Sequence, residues 1–130
     1  MLNMEDEMID AENAAARYIS AWNERDPRER NALIAATYTE DALYVDPHRR
    51  GDGHKGISDM IAAVHDRFPP AYQFRLKSPV DAHNGCARFT WEAGGLSDAP
   101  LHFVGTDFIE LAPDGRIKAV TGFVDEAPAG

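Results

Sequence analysis

The dipeptide Pro69-Pro70 divides the sequence into two parts with different hydrophobic periods. Before it, apolar residues recur three or four positions apart, which is the period of one face of an α-helix. After it, apolar and polar residues alternate, which is the period of a half-buried β-strand. Helices followed by consecutive strands predict an α+β domain in which the helices pack on one face of an antiparallel sheet.

Three helices are predicted before the double proline, over residues 8–23, 27–38 and 56–68. Asp26 is expected to cap the second helix, Pro27 suits its first turn, and Glu29 completes a capping box three residues after Asp26. Residues 42–46 are predicted to form a short strand. Residues 47–56, which contain three glycines and a proline, are predicted to form a mobile loop.

The second part of the chain is predicted to be a meander of strands. Apolar residues alternate with polar ones over residues 72–77 and 88–92. A longer strand over 101–111 is followed by a turn at Pro113-Asp114-Gly115 and by a returning strand over 116–124.

Length and charge limit the possible partners. A chain of 130 residues, 44% of them hydrophobic, fits one domain. Acidic residues outnumber basic ones by 22 to 13, and the net charge of −9 predicts that nucleic acid is not a partner. A cytoplasmic protein is predicted, because the sequence has a single cysteine, Cys86, and an acidic N-terminal segment. Membrane insertion is not expected, because there is no long apolar run.

Two acidic residues are predicted to face the core side of the sheet. Asp107 shares its side of the long strand with Leu101 and Phe103, and Asp46 ends the short strand just before the glycine-rich segment. Because desolvation raises the pKa of an acid, a buried carboxyl group either finds partners or keeps its proton. Tyr18 lies in the apolar stripe of the first helix, and its hydroxyl is expected to point into the same interior.

Several segments of the sequence resemble the SnoaL-like branch of the nuclear-transport-factor-2-like superfamily, which includes ketosteroid isomerase. They are RYISAWN at 17–23, DALYVDP at 41–47, Gly56-Ile57, and GTD at 105–107 through DGRI at 114–117. The resemblance implies one SnoaL-like domain over residues 1–130, in which three helices pack on a curved antiparallel sheet to form a cone-shaped, cystatin-like half barrel. It also implies a homodimer.

The same resemblance implies a reaction. Tyr18, Asp46 and Asp107 match the positions of the catalytic tyrosine and two aspartates of ketosteroid isomerase. Asp46 would remove a proton next to a ketone and return it elsewhere, while Tyr18 and a neutral Asp107 bond the enolate oxygen. An isomerase or cyclase acting on an apolar carbonyl compound is therefore the leading hypothesis.

The aromatic residues expected to line the ligand pocket are Trp22, Phe89, Trp91, Phe103 and Phe123. No cofactor is expected, because the sequence has no glycine-rich phosphate-binding signature. No metal site is expected either, because the histidines lack the spacing of metal ligands.

Other interpretations remain open. Asp46 can order its loop by pairing with Arg49 or Arg50, and Asp107 can be a structural acid bonded to Tyr18 or the backbone. The basic segment 48–55 is either a solvated loop or a means of steering a carboxylate or phosphate ligand. For the whole protein, the alternatives are a non-catalytic ligand-binding or dimerisation module, and a dehydratase or epoxide hydrolase of the same fold.

Overall fold

The computed structural model describes residues 4–95 and 102–128. Leu101, which was predicted to begin the long strand, lies outside the described residues. The elements are α1 (Met4–Asn23), α2 (Pro27–Thr37), β1 (Tyr38–Val45), β2 (Arg50–Asp52), α3 (Gly53–Arg67), β3 (Gln73–Leu76), β4 (Asp81–His83), β5 (Cys86–Gly94), β6 (Phe103–Leu111) and β7 (Ile117–Glu126). The predicted α+β class, with three helices on a curved sheet, is confirmed.

The seven described strands form one open sheet in the order β2-β1-β7-β6-β5-β3, with β4 also paired to β5. All of these pairs are antiparallel except β1 with β7, which is parallel. The sheet is therefore mixed, whereas the sequence predicted an antiparallel one. A hairpin forces neighbouring strands to run in opposite directions, but β1 and β7 are joined by most of the chain and are free to pair in parallel.

The core lies between the helices and the concave face of the sheet. The face of α1 turned toward the sheet carries the fully buried alanines Ala11, Ala14 and Ala15, followed by Tyr18 and Trp22. Small residues let a helix approach its neighbours closely, so the two aromatic side chains that follow reach into the interior. The apolar stripe of α3 is buried on the other side of this interior, as its period predicted.

Two local predictions are wrong. Asp26 lies at the N-cap of α2 in extended geometry, but its side chain makes no capping hydrogen bond, and its backbone N–H donates to Glu24 Oε2 rather than to Glu29. The predicted mobile loop over 47–56 contains β2, and α3 begins at Gly53. A strand of three residues is too short to reveal an alternating pattern, and the glycines that suggested mobility allow close packing. A Cβ on Gly51 would lie 3.1 Å from Ile57 Cα.

None of the helices within residues 4–95 and 102–128 is both long and apolar enough to cross a membrane.

Candidate active site

A cavity of about 300 Å³ lies between α1, α3 and the concave face of the sheet. Its volume is at the small end of the range of about 300–1,000 Å³ that is usual for small-molecule sites. Most of the lining is apolar or aromatic, and these residues are Ile19, Trp22, Tyr44, Val64, Phe68, Tyr72, Phe74, Trp91, Phe103, Phe123 and Val124. The other lining residues are Tyr18, Asp46, His48, Arg49, Arg67 and Asp107. The cavity therefore combines an apolar wall with a small set of polar groups.

Tyr18 and Asp107 form a buried pair at the inner end of the cavity. The Tyr18 hydroxyl donates a hydrogen bond of 2.5 Å to Asp107 Oδ2, and each residue is only 2% exposed. Burial raises the pKa of Asp107 to about 6, and the nearby charge of Asp46 adds to this rise, although the Tyr18 hydroxyl and the Trp91 side chain oppose it. Asp107 can therefore hold a proton at mildly acidic pH, where most carboxyl groups are ionised.

Trp91 places a further donor beside Asp107. Its indole N–H is buried and has no hydrogen-bond partner with suitable geometry among the described residues. It is still close enough to Asp107 to oppose the rise in the pKa of that carboxyl group. Because Trp91 also lines the cavity, this N–H is available to a ligand atom that binds next to Asp107.

Asp46 follows the last residue of β1 and is held by several contacts. Its Oδ2 accepts a hydrogen bond of 2.6 Å from the Tyr44 hydroxyl, and its Oδ1 accepts one of 2.7 Å from the His48 backbone N–H. The Arg49 guanidinium lies 3.9 Å from Oδ2. Asp46 thus orders its loop and also lines the cavity, where its side chain is 9% exposed.

Tyr44 was not predicted as a site residue. The signal was present in the sequence, because Tyr44 and Asp46 are two positions apart and side chains at that spacing share one side of a strand.

Gly122 lies between the two acids. A Cβ at this position would be 2.7 Å from Asp107 Oδ1 and 3.3 Å from Asp46 Cβ. Gly122 pairs with Asp107 across β6 and β7, so the backbone of β7 brings the acids from two distant parts of the chain together. An isolated glycine inside a strand pattern often marks such a close approach, and this signal was available but unused.

Replacing Gly122 by Ala is expected to destabilise the protein by about 1–3 kcal/mol, because the added methyl group overpacks the space between the acids. The free energy of unfolding in urea measures this effect. Gly56→Ala is the control, since Gly56 lies in α3 and a Cβ there meets only ordinary contacts of 3.5 Å or more with Gly51 and Asp52 of β2. Alanine favours a helix over glycine, so the control is expected to stabilise by about 0.5–1 kcal/mol. Equal effects of both substitutions would contradict the proposed crowding at Gly122.

Four of the five aromatic residues predicted to line the pocket do so: Trp22, Trp91, Phe103 and Phe123. Phe123 is 55% exposed and therefore marks the mouth of the cavity. Phe89 is not part of the lining. It is 1% exposed and packs edge-on against Tyr18, with ring centroids 5.6 Å apart. Phe89 therefore helps to position the Tyr18 ring without contacting the cavity.

His54 and His102 have separate hydrogen-bond partners. His54 Nε2 is 2.8 Å from the Tyr38 backbone oxygen, and His102 Nε2 is 3.2 Å from Glu92. Within the described ranges, no group of three or more His, Cys, Asp or Glu side chains is arranged to hold a metal ion.

The fold and the cavity together define a cone-shaped α+β domain with an interior of small-molecule size. The SnoaL-like domain model matches residues 15–120, and the chain belongs to this family. A solved structure from Agrobacterium tumefaciens, described as a candidate isomerase of the SnoaL-like family, is 36% identical with a TM-score of 0.83. The match covers 91% of this chain and 99% of that protein.

More distant structures share the fold. A candidate SnoaL-like polyketide cyclase from Jannaschia sp. CCS1 is 14% identical with a TM-score of 0.76, over 96% of this chain and 92% of that one. An epoxide hydrolase from Mycobacterium tuberculosis is 18% identical with a TM-score of 0.62, over 90% of this chain and 84% of that one. Among curated proteins, none matches the sequence significantly.

Proposed function

We propose that the protein is an enzyme of the isomerase or cyclase type that moves a proton on an apolar carbonyl compound without a cofactor. One observation carries the proposal: Asp46 and the hydrogen-bonded pair of Tyr18 and Asp107 all line one small, mostly apolar cavity. An acid that retains its proton beside a second carboxylate is the arrangement that general acid/base catalysis needs. The similarity to a candidate SnoaL-like isomerase supports the same class.

Asp46 is the proposed base. Its carboxylate takes a proton from the carbon next to the carbonyl group, and the electron pair of that C–H bond moves onto the carbonyl oxygen to give an enolate. Asp46 then returns the proton to a different carbon, so the double bond shifts and no atom is gained or lost. The bonds from Tyr44 and the His48 N–H hold the carboxylate in place during both steps.

Tyr18 and Asp107 are the proposed stabilisers of the enolate oxygen. When Asp107 is neutral, the pair carries two acidic protons, and a bound carbonyl oxygen can accept a hydrogen bond from this pair. The indole N–H of Trp91 lies beside Asp107 and adds a third donor. In a largely apolar cavity such donors stabilise developing negative charge much more than they would in water.

The proposal is tested with a small β,γ-unsaturated ketone, such as cyclohex-3-enone, whose isomerisation produces a conjugated enone with stronger ultraviolet absorbance. The purified protein is expected to accelerate this reaction above the rate in buffer that contains the same concentration of acetate. No acceleration with this ketone or with a 5-ene-3-ketosteroid would contradict the isomerase assignment and favour a ligand-binding module.

Epoxide hydrolysis is the second candidate, because Asp46 and Asp107 approach each other closely across Gly122. A neutral Asp107 would protonate the epoxide oxygen, while Asp46 takes a proton from the attacking water and the product is a diol. Styrene oxide is a suitable probe. Diol formation without ketone isomerisation would assign the site to hydrolysis.

A cytoplasmic homodimer is also part of the proposal. Phe108 is 39% exposed on the convex side of β6, where a second copy of the sheet would cover it. Phe108→Asp is therefore expected to reduce the mass found by light scattering from that of two chains to that of one. Ile9→Asp is the control, because Ile9 is also an exposed apolar residue but belongs to α1 rather than to the sheet. A wild-type protein of one-chain mass would contradict the dimer.

A further inference from the structure

Basic side chains gather at one end of the cavity of an otherwise acidic protein. The chain has 22 acidic and 13 basic residues, yet His48, Arg49 and Arg67 all line the cavity. His48 and Arg67 are exposed, and the side chain of Arg49 is 29% exposed, so this end is the mouth. We refer to His48, Arg49 and Arg67 as the basic rim.

Among the described residues, the two arginines of the basic rim have few partners of opposite charge. Arg67 forms no hydrogen bond or ion pair with any residue in the described part of the chain. Arg49 forms an ion pair with Asp46, but its separation of 3.9 Å is longer than a hydrogen bond and leaves guanidinium N–H groups for another partner. In contrast, Arg50 and Lys55 lie outside the cavity and pair with Asp52 at 3.3 Å and with Asp59 at 2.8 Å.

The local structure around Arg49 and Arg67 places both arginines of the basic rim in the lining of the same cavity. Val64 and Arg67 line the cavity together, because positions three apart share one face of α3, and the C-cap residue Phe68 lines it beside them. Arg49 ends the turn that begins at Asp46, and its backbone oxygen accepts a hydrogen bond from the Asp46 N–H. Its guanidinium lies close enough to Tyr72 in the cavity wall to oppose the rise that burial causes in the pKa of the Tyr72 hydroxyl.

The cavity therefore has two polar ends joined by mostly apolar walls, and Asp46 lines it beside Arg49. Tyr18 and Asp107 lie at the buried end, and the basic rim lies at the exposed end. Aromatic side chains such as Trp22, Phe74 and Phe103 form the walls. A ligand complementary to this cavity has a hydrogen-bond acceptor for the buried end, an apolar body for the walls, and a negative charge for the basic rim.

We infer that the substrate is an apolar carbonyl compound that carries a carboxylate, which the basic rim binds while the carbonyl group lies against Tyr18 and Asp107. This inference rests on the proposed function for the orientation of the carbonyl group. The charge preference itself depends only on the basic rim, and binding measurements test it without any turnover.

The test compares 3-(4-hydroxyphenyl)propanoate with its methyl ester, which lacks the negative charge and carries one added methyl group. The phenol group is a planar mimic of an enol and suits the Tyr18 and Asp107 end. Calorimetry at pH 7 and low salt is expected to show that the carboxylate binds about 10-fold more tightly than the ester, since partly exposed charge pairs contribute modestly. The preference should shrink as salt is added.

The double variant Arg49→Gln/Arg67→Gln is expected to abolish this preference and to bind the ester as the wild type does. Arg50→Gln/Lys55→Gln removes the same formal charge outside the cavity and should keep the preference. Equal binding of the two ligands by the wild type, binding of neither, or equal loss in both double variants would overturn the inference. A carboxylate preference in a protein that fails the ketone assay would support the basic rim and reject the proposed function.

Discussion

Asp46→Asn is expected to lower kcat/KM for ketone isomerisation by about 100- to 10,000-fold, the usual contribution of a positioned general base. An asparagine keeps the shape of the side chain, and its oxygen can still accept the hydrogen bond that the His48 N–H now donates to Asp46. The amide cannot take a proton from carbon. The substitution therefore removes basicity while preserving most of the geometry, and steady-state rates with cyclohex-3-enone measure the loss.

A control separates this effect from a general change in charge. Asp52→Asn also removes one carboxylate, but the Asp52 side chain is 67% exposed and pairs with Arg50. It is expected to leave the rate within about twofold of the wild type, since exposed ion pairs contribute little. Comparable activity of Asp46→Asn and the wild type, with both proteins folded, would remove Asp46 from the mechanism.

The fold was largely predictable because long elements carry a strong periodic signal. The stripe through Tyr18 and Trp22 in α1 and the alternation around Asp107 in β6 both gave the correct face. Short elements carry too few residues to show a period, so β2 and β4 were missed. The parallel pairing of β1 with β7 depends on contacts between distant segments, which local patterns do not encode.

The site was only partly predictable for the same reason. A strand pattern shows that Asp107 faces inward, but it does not show which atoms meet it, and the bond from Tyr18 joins residues 89 positions apart. Phe89 and Trp91 share one side of β5, yet only Trp91 lines the cavity. The alternation of a strand shows which side a residue faces but not how far along the strand the cavity extends. Arg67, the last residue of α3, was not predicted as a site residue.

Asp107→Asn is expected to stabilise the protein at neutral pH. Burial raises the pKa of Asp107 from 3.8 to about 6, so the folded protein binds this proton more tightly than the unfolded chain does. The stability contributed by this proton is complete below pH 3.8 and is lost as the pH rises through about 6. At about 1.4 kcal/mol per pKa unit, the ionised acid costs about 3 kcal/mol at pH 7, and the neutral amide avoids that cost.

The measurement is the difference in unfolding free energy between Asp107→Asn and the wild type at several pH values. This difference is expected to grow by about 2.4 kcal/mol between pH 4 and pH 7, because only the wild type carries the titrating group. Asp114→Asn is the control, because the contribution of Asp114 to stability changes with pH in the opposite direction. Arg116 lowers the pKa of exposed Asp114, so its contribution is present above its unfolded pKa and is lost as the pH falls.

The same variant links stability to catalysis. If a neutral Asp107 donates to the enolate oxygen, kcat/KM of the wild type should fall by about tenfold for each pH unit above 6, as the acid loses its proton. Asparagine does not titrate, so this decline should vanish in Asp107→Asn even though the protein becomes more stable. A stable variant that retains the wild-type pH profile would show that Asp107 is buried for structural reasons and that another group supplies the proton.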